Sequence, residues 1–130
     1  MLFRSAEQTA VFVRRLADRL KPGARLIVDT ATTAESLFPT LATSRAVDLP
    51  NGRYEAENRY SPREGVLRTK VRLTVDGQTH EGRYLHRVFT VAEWVRELET
   101  GGFRCLELCS DPTGAPFTVG APRLYGVFER

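Results

Sequence analysis

The chain has 130 residues, 42% hydrophobic and 27% charged, with a formal net charge of +3. That suits one soluble domain with a real core. The 19 basic residues are scattered, with no basic run interleaved with aromatics, so nothing points to nucleic acid. No apolar run reaches the roughly 18 residues that a membrane span needs.

The start does not read as a signal peptide. Met1-Leu2-Phe3-Arg4-Ser5 is open to two readings. It can be encoded by ATG followed by CTCTTCCGATCT, the end of a common sequencing adapter, which would leave a reading frame cut upstream. It also reads as a short natural start that ends on a helix N-cap. A helix is predicted from about Ala6 to Leu20, where Val13, Leu16, Ala17 and Leu20 repeat at i, i+3, i+4, i+7. Ser5 and Gln8 have the spacing of a capping box.

Pro22-Gly23 stops that helix. Leu26-Ile27-Val28 follows without alternation, which predicts a strand buried on both faces in a parallel sheet. In such sheets ligands sit beyond the carboxyl ends of the strands, so Asp29 and Thr30 are candidate substrate-binding residues. The plainer reading is that they cap the next helix.

A short helix over Thr33 to Leu41, interrupted near Pro39, and a strand over Arg45 to Leu49 come next. Tyr54, Ala56, Asn58 and Tyr60 then alternate with Glu55, Glu57 and Arg59. Asp76-Gly77 is a type I′ hairpin signal, and a two-residue loop pairs Arg72 with Glu81 and Leu67 with His86. The segment from about 45 to 89 is therefore predicted to be an antiparallel meander, polar on one side and apolar on the other. Thr90 and Glu93 form a capping box for a second long helix, with Val91, Trp94, Val95 and Leu98 as its stripe. Gly101-Gly102 ends it, and strands follow over Phe103 to Leu108 and Arg123 to Phe128.

Few residues carry visible chemistry. Arg59 and Tyr60 could hold an anionic or aromatic acceptor; their plain reading is a solvated arginine and a half-buried ring. Tyr84 and His86 share a face, so His86 could act as a general base, against the plainer reading of a hydrogen-bonded core histidine. Cys105 and Cys109 share a face if their strand is regular. They fit reduced thiols in a cytoplasmic protein, since their spacing suits no disulfide within a strand and no metal-ligand motif accompanies them. No catalytic residue is assigned.

The order of these motifs carries a resemblance. Leu20-Lys21-Pro22-Gly23-Ala24-Arg25-Leu26-Ile27-Val28-Asp29-Thr30, then Phe89-Thr90-Val91-Ala92-Glu93-Trp94, then Gly101-Gly102-Phe103 and two strands resembles the carboxyl-terminal half of class I S-adenosylmethionine-dependent methyltransferases. The resemblance implies an α/β fold: a partial Rossmann-like methyltransferase sheet with an antiparallel insertion over the site and a final antiparallel strand. It implies S-adenosylmethionine as cofactor and a small-molecule acceptor. In this family the cofactor is held mainly by a glycine-rich loop after the first strand and an acidic residue ending the second. No Gly-x-Gly lies between a strand and a helix here, so no cofactor-binding residue is assigned.

The expectation is thus one domain over 1–130, the carboxyl-terminal part of such an enzyme, incomplete as given. It should bind S-adenosylmethionine weakly or not at all by itself. The alternative is a non-enzymatic ligand-binding or oligomerisation module. The three strands outside the meander should form one mixed sheet. Its Leu26–Val28 edge should be open and apolar, the Val13–Leu16–Leu20 stripe partly uncovered, and edge-to-edge self-association should follow.

Overall fold

The computed structural model describes residues 5–130. The alternative readings of the start rest on positions 1–4, which lie outside the described residues. The chain is organised as two compact units. One spans 41–87, and the other joins 5–40 to 88–130.

The discontinuous unit holds helix α1 (Ala6–Arg19), strand β1 (Arg25–Thr30), helix α2 (Ala34–Leu37) and a 3-10 turn at Phe38–Thr40. After the insertion come α3 (Val91–Thr100), β6 (Arg104–Cys109) and β7 (Leu124–Glu129). The strand order is β1-β7-β6, and both pairings are antiparallel. The three segments do share one sheet, but its hydrogen-bonded ladders are not mixed. The last strand inserts between the other two, so β1 and β6 never pair directly.

Burial of β1 also differs from expectation. Leu26 and Val28 are half-buried, whereas Ile27 on the other face is 68% exposed. The core explains this. Val13 and Ala17 of α1, Leu98 of α3, Phe103 and Phe128 cluster together, with Leu26, Val28, Trp94 and Val95 packed against them. The two long helices thus cover the same face of the sheet. The free edge of β1 has no strand partner among the described residues. Within the α1 stripe Val13 is fully buried while Leu16 and Leu20 are half-buried, which is the partial cover expected; Val11 and Phe12 are exposed apolar residues outside the stripe.

Local signals account for the helix ends. Ser5 Oγ accepts from the Gln8 N–H at 3.2 Å. The Thr90–Glu93 capping box is complete. At the other end of α3, Phe103 N–H donates to Leu98 carbonyl and Gly102 N–H to Glu99 carbonyl, each at 3.0 Å. This is a Schellman motif, with Gly102 at φ +100°. Gly101 meets a second demand: a Cβ there would stand 2.2 Å from Val13 Cγ1, so glycine lets the end of α3 approach α1. Ala24 is not at positive φ, so it needs no glycine.

A register shift between Cys105 and Glu107 breaks the alternation of β6. Cys105 faces Phe128 and Cys109 faces Tyr125. Those partners are three apart on β7, so the cysteines fall on opposite faces of the sheet rather than one. Both are free thiols. Among the described residues no helix is long and apolar enough to cross a membrane.

The contiguous unit is a meander of β2 (Ser44–Leu49), β3 (Gly52–Ser61), β4 (Val66–Val75) and β5 (Gln78–Arg87), in that order. The β4–β5 turn has Asp76 at φ 50° and Gly77 at φ 76°, as a type I′ turn requires. The register pairs Arg72 with Glu81 and Leu67 with His86, as the loop length predicts.

Candidate functional site

In the discontinuous unit, the carboxyl end of β1 leads into a run of threonines. Thr30 Oγ1 accepts from the Thr32 N–H at 3.1 Å. Thr33 is fully buried and caps α2, accepting from Ser36 N–H and donating to Ser36 Oγ. The cap is therefore Thr33, not Asp29 or Thr30. Ala34 N–H donates to Phe89 carbonyl at 2.8 Å. The Glu35 carboxylate accepts from Val91 N–H at 3.0 and 3.1 Å, which satisfies a free donor in the first turn of α3. These bonds tie the exit of β1 to the start of α3.

Asp29 and Thr30 lie on opposite faces of β1, because side chains alternate along a strand. Thr30 shares the helix-covered face with Leu26 and Val28. Asp29 is exposed and accepts from Arg123 Nε and Nη2, each at 2.8 Å. Arg123 and Glu35 are partners that the sequence reading passes over, since each pair spans 56 or more positions.

The other candidates lie in the meander. The register places Tyr60 and His86 on either side of Leu67. The next row on the same face is Asn58, Thr69 and Tyr84. Strand spacing puts the Tyr60 and His86 backbones roughly 10 Å apart. Thr69 Oγ1 donates to Asn58 Oδ1 at 2.8 Å, and Asn58 Nδ2 donates to Ala42 carbonyl at 2.9 Å. Asn58 could have been found from the alternation that picked out Tyr60. Tyr84 is half-exposed and lies towards Gly82, its Oη 3.4 Å from where a Gly82 Cβ would stand. Arg59 points to the opposite face from Tyr60, Tyr84 and His86, so it does not join their cluster.

His86 is 8% exposed, and neither ring nitrogen has a hydrogen-bond partner among the described residues. The expected core histidine bonded to a neighbour is therefore not what the structure contains. Burial lowers the His86 pKa below the ordinary histidine value. The ring is thus neutral near pH 7, with one nitrogen able to accept a hydrogen bond and the other to donate. Cys105 is the reverse of an activated thiol: burial, and then the Glu99 charge, raise its pKa.

No family model and no curated protein matches the sequence. Solved structures do match. The CcbJ methyltransferase from Streptomyces caelestis superposes with a TM-score of 0.83 at 17% identity, over 98% of this chain and 52% of its own. An S-adenosylmethionine-dependent methyltransferase from Clostridium acetobutylicum gives 0.84 at 15%, over 96% and 52%. CalS10 from Micromonospora echinaspora, an amino pentose methyltransferase solved with bound S-adenosylmethionine, gives 0.59 at 14%, over 97% and 52%. The chain spans about half the length of the solved structures it matches. Its fold is that of part of a methyltransferase: α/β, partial Rossmann-like, with an antiparallel insertion and a final antiparallel strand.

Proposed function

We propose that this chain is the carboxyl-terminal part of an S-adenosylmethionine-dependent methyltransferase that acts on a small-molecule acceptor. The observation that carries this is the β1-β7-β6 sheet with the meander inserted after β1, matched by methyltransferases over nearly the whole of this chain. The resemblance implies the cofactor for the whole protein, and the residues present here do not fit it. Glycines at positive φ lie in hairpin turns, at the ends of α1 and α3, or in the loop before β7. The connection from β1 to α2 is Ala31-Thr32-Thr33, without glycine. No backbone cradle for the cofactor is formed there, and no step through it follows from these residues.

Each unit supplies candidate acceptor contacts of its own. Tyr60 and Tyr84 offer aromatic rings to an acceptor. Neutral His86 accepts a hydrogen bond, or the proton, from an acceptor amine or hydroxyl. Asp29 and Thr30 stand at the strand end where such folds receive ligands. Holding the acceptor in line is most of the work in such a transfer, so a sparse polar set is sufficient. The amino sugar named for CalS10 is the first acceptor class to test.

Calorimetry tests the reading in two arms. The chain alone should show no micromolar binding of S-adenosylmethionine. Joined to roughly one hundred upstream residues, about the missing share of a domain, it should bind the cofactor and methylate an amino sugar. Micromolar binding to the chain alone would mean a differently built site. An extended protein that binds cofactor but methylates none of a panel of small amines and alcohols would remove the acceptor reading. Sedimentation of the chain alone should show self-association through the free β1 edge; a monomer would remove that part.

A further inference from the structure

We propose that the charged face of the meander, opposite the Tyr84–His86 face, binds a small phosphate- or sulfate-bearing molecule. Arg59 of β3 stands directly opposite Arg68 of β4, and Lys70 of β4 directly opposite Arg83 of β5. Like charges directly opposed across strands are destabilising. The same three strands avoid this one row further along, where Glu55, Arg72 and Glu81 alternate in sign. There Arg72 donates to Glu81 at 2.8 and 3.0 Å. Lys70 also stands directly opposite Glu57 on β3, so the cationic pairs Arg59–Arg68 and Lys70–Arg83 share their two rows with one carboxylate.

Those rows line a groove of about 540 Å³ with Arg59, Arg68, Lys70 and Arg83, together with Glu57, Leu85 and the adjoining Thr69 and Tyr84. Internal neutralisation is incomplete. Arg68 is bonded to Glu64 at 2.8 Å, and Lys70 only approaches Glu81 at 3.9 Å. Arg59 and Arg83 have no carboxylate within 4.0 Å among the described residues. Adjacent strands lie about 4.8 Å apart and same-face neighbours about 7 Å apart. Four cationic stems therefore rise from a patch small enough for their heads to converge on one or two oxyanion groups. Guanidinium forks suit the paired oxygens of such groups.

The surroundings limit what fits. Glu55 and Glu81 close one end of the patch and would repel a longer polyanion. Tyr84 is the aromatic residue beside the groove, and one ring does not make the row of stacking platforms that a strand of bases uses. A short anion is favoured over a nucleic acid strand. The site needs neither the cofactor nor His86, although Tyr84, an acceptor residue of the proposed function, borders it.

The test uses the full chain, with inorganic pyrophosphate as the probe and inorganic sulfate in a parallel arm, at low salt. Calorimetry and thermal unfolding are both read. Pyrophosphate should bind saturably and raise the melting temperature. The variant Arg59→Gln/Arg83→Gln should bind it at least tenfold more weakly, while its own melting temperature without ligand stays level or rises. Arg14→Gln/Arg15→Gln, on the exposed face of α1, should bind as the parent does. Saturation by pyrophosphate but not sulfate identifies a phosphate site, and the converse a sulfate site. Unchanged binding in the first variant, an equal loss in the second, or no saturable binding of either anion would overturn the proposal. A drop in the first variant's ligand-free melting temperature would also overturn it, since the arginines would then be structural.

Discussion

In the unit built on β1, β6 and β7, the buried apolar side chains include Val13, Leu98, Phe103, Leu124 and Phe128. In the meander they are Ala56, Val66 and Leu67 among the described residues. The first unit is held by helices packed on one face of a sheet. The second depends more on continuous antiparallel ladders and on cross-strand pairs such as Thr69–Asn58 and Arg72–Glu81. A packed core tolerates little change, because interiors are close-packed. A ladder held by backbone bonds leaves its side chains open to other uses. The unusual chemistry falls on the second kind of framework: a buried unpartnered imidazole on one face and opposed like charges on the other.

Truncation in each unit should give the largest contrast. Phe128→Ala empties a site 1% exposed at the centre of the helix-covered core and should cost about 3–5 kcal/mol in urea unfolding. Val71→Ala, half-buried in the meander, should cost about 1 kcal/mol. Equal costs would mean that the meander carries a core of comparable weight.

Glycine substitution sharpens the same contrast at a smaller scale. Gly101→Ala drives a Cβ against Val13 and should cost about 1–3 kcal/mol. Gly82→Ala meets nothing closer than the Tyr84 hydroxyl at 3.4 Å, and strand alanine is no worse than strand glycine, so it should be close to neutral. Thermal unfolding of both variants would show whether close approach is confined to the helical unit.

The smallest effect is pH-dependent. Burial lowers the His86 pKa in the folded chain from an unfolded value near 6.5. The unfolded state therefore binds the proton first as pH falls through that value, and stability drops below it. His86→Leu should remove this part of the pH dependence and leave stability near pH 7 level or higher, because it deletes a buried group with no partner. If His86→Leu instead unfolds the meander at neutral pH, the ring is a structural element with a partner, and its acceptor role fails.

Sequence by itself determined the features whose causes are local. Ser5, Thr90–Glu93 and Gly101–Gly102 bound their helices because a cap needs only residues within one turn. Asp76-Gly77 set the hairpin, and with it the pairing of every residue from Val66 to Arg87. That is why Tyr84 and His86 could be placed on one face, and why the Arg72–Glu81 pair was legible. Only the tertiary structure decided the insertion of β7 between β1 and β6, the bulge that parts Cys105 from Cys109, and the exposure of Ile27. The same holds for the missing partner of His86 and for the bonds from Arg123 to Asp29 and from Val91 to Glu35. A run of Leu-Ile-Val records that a strand is apolar, not how many of its faces this chain covers. Side-chain period likewise reports which residues share a face, while strand order and distant pairing depend on which segments meet after the chain has folded.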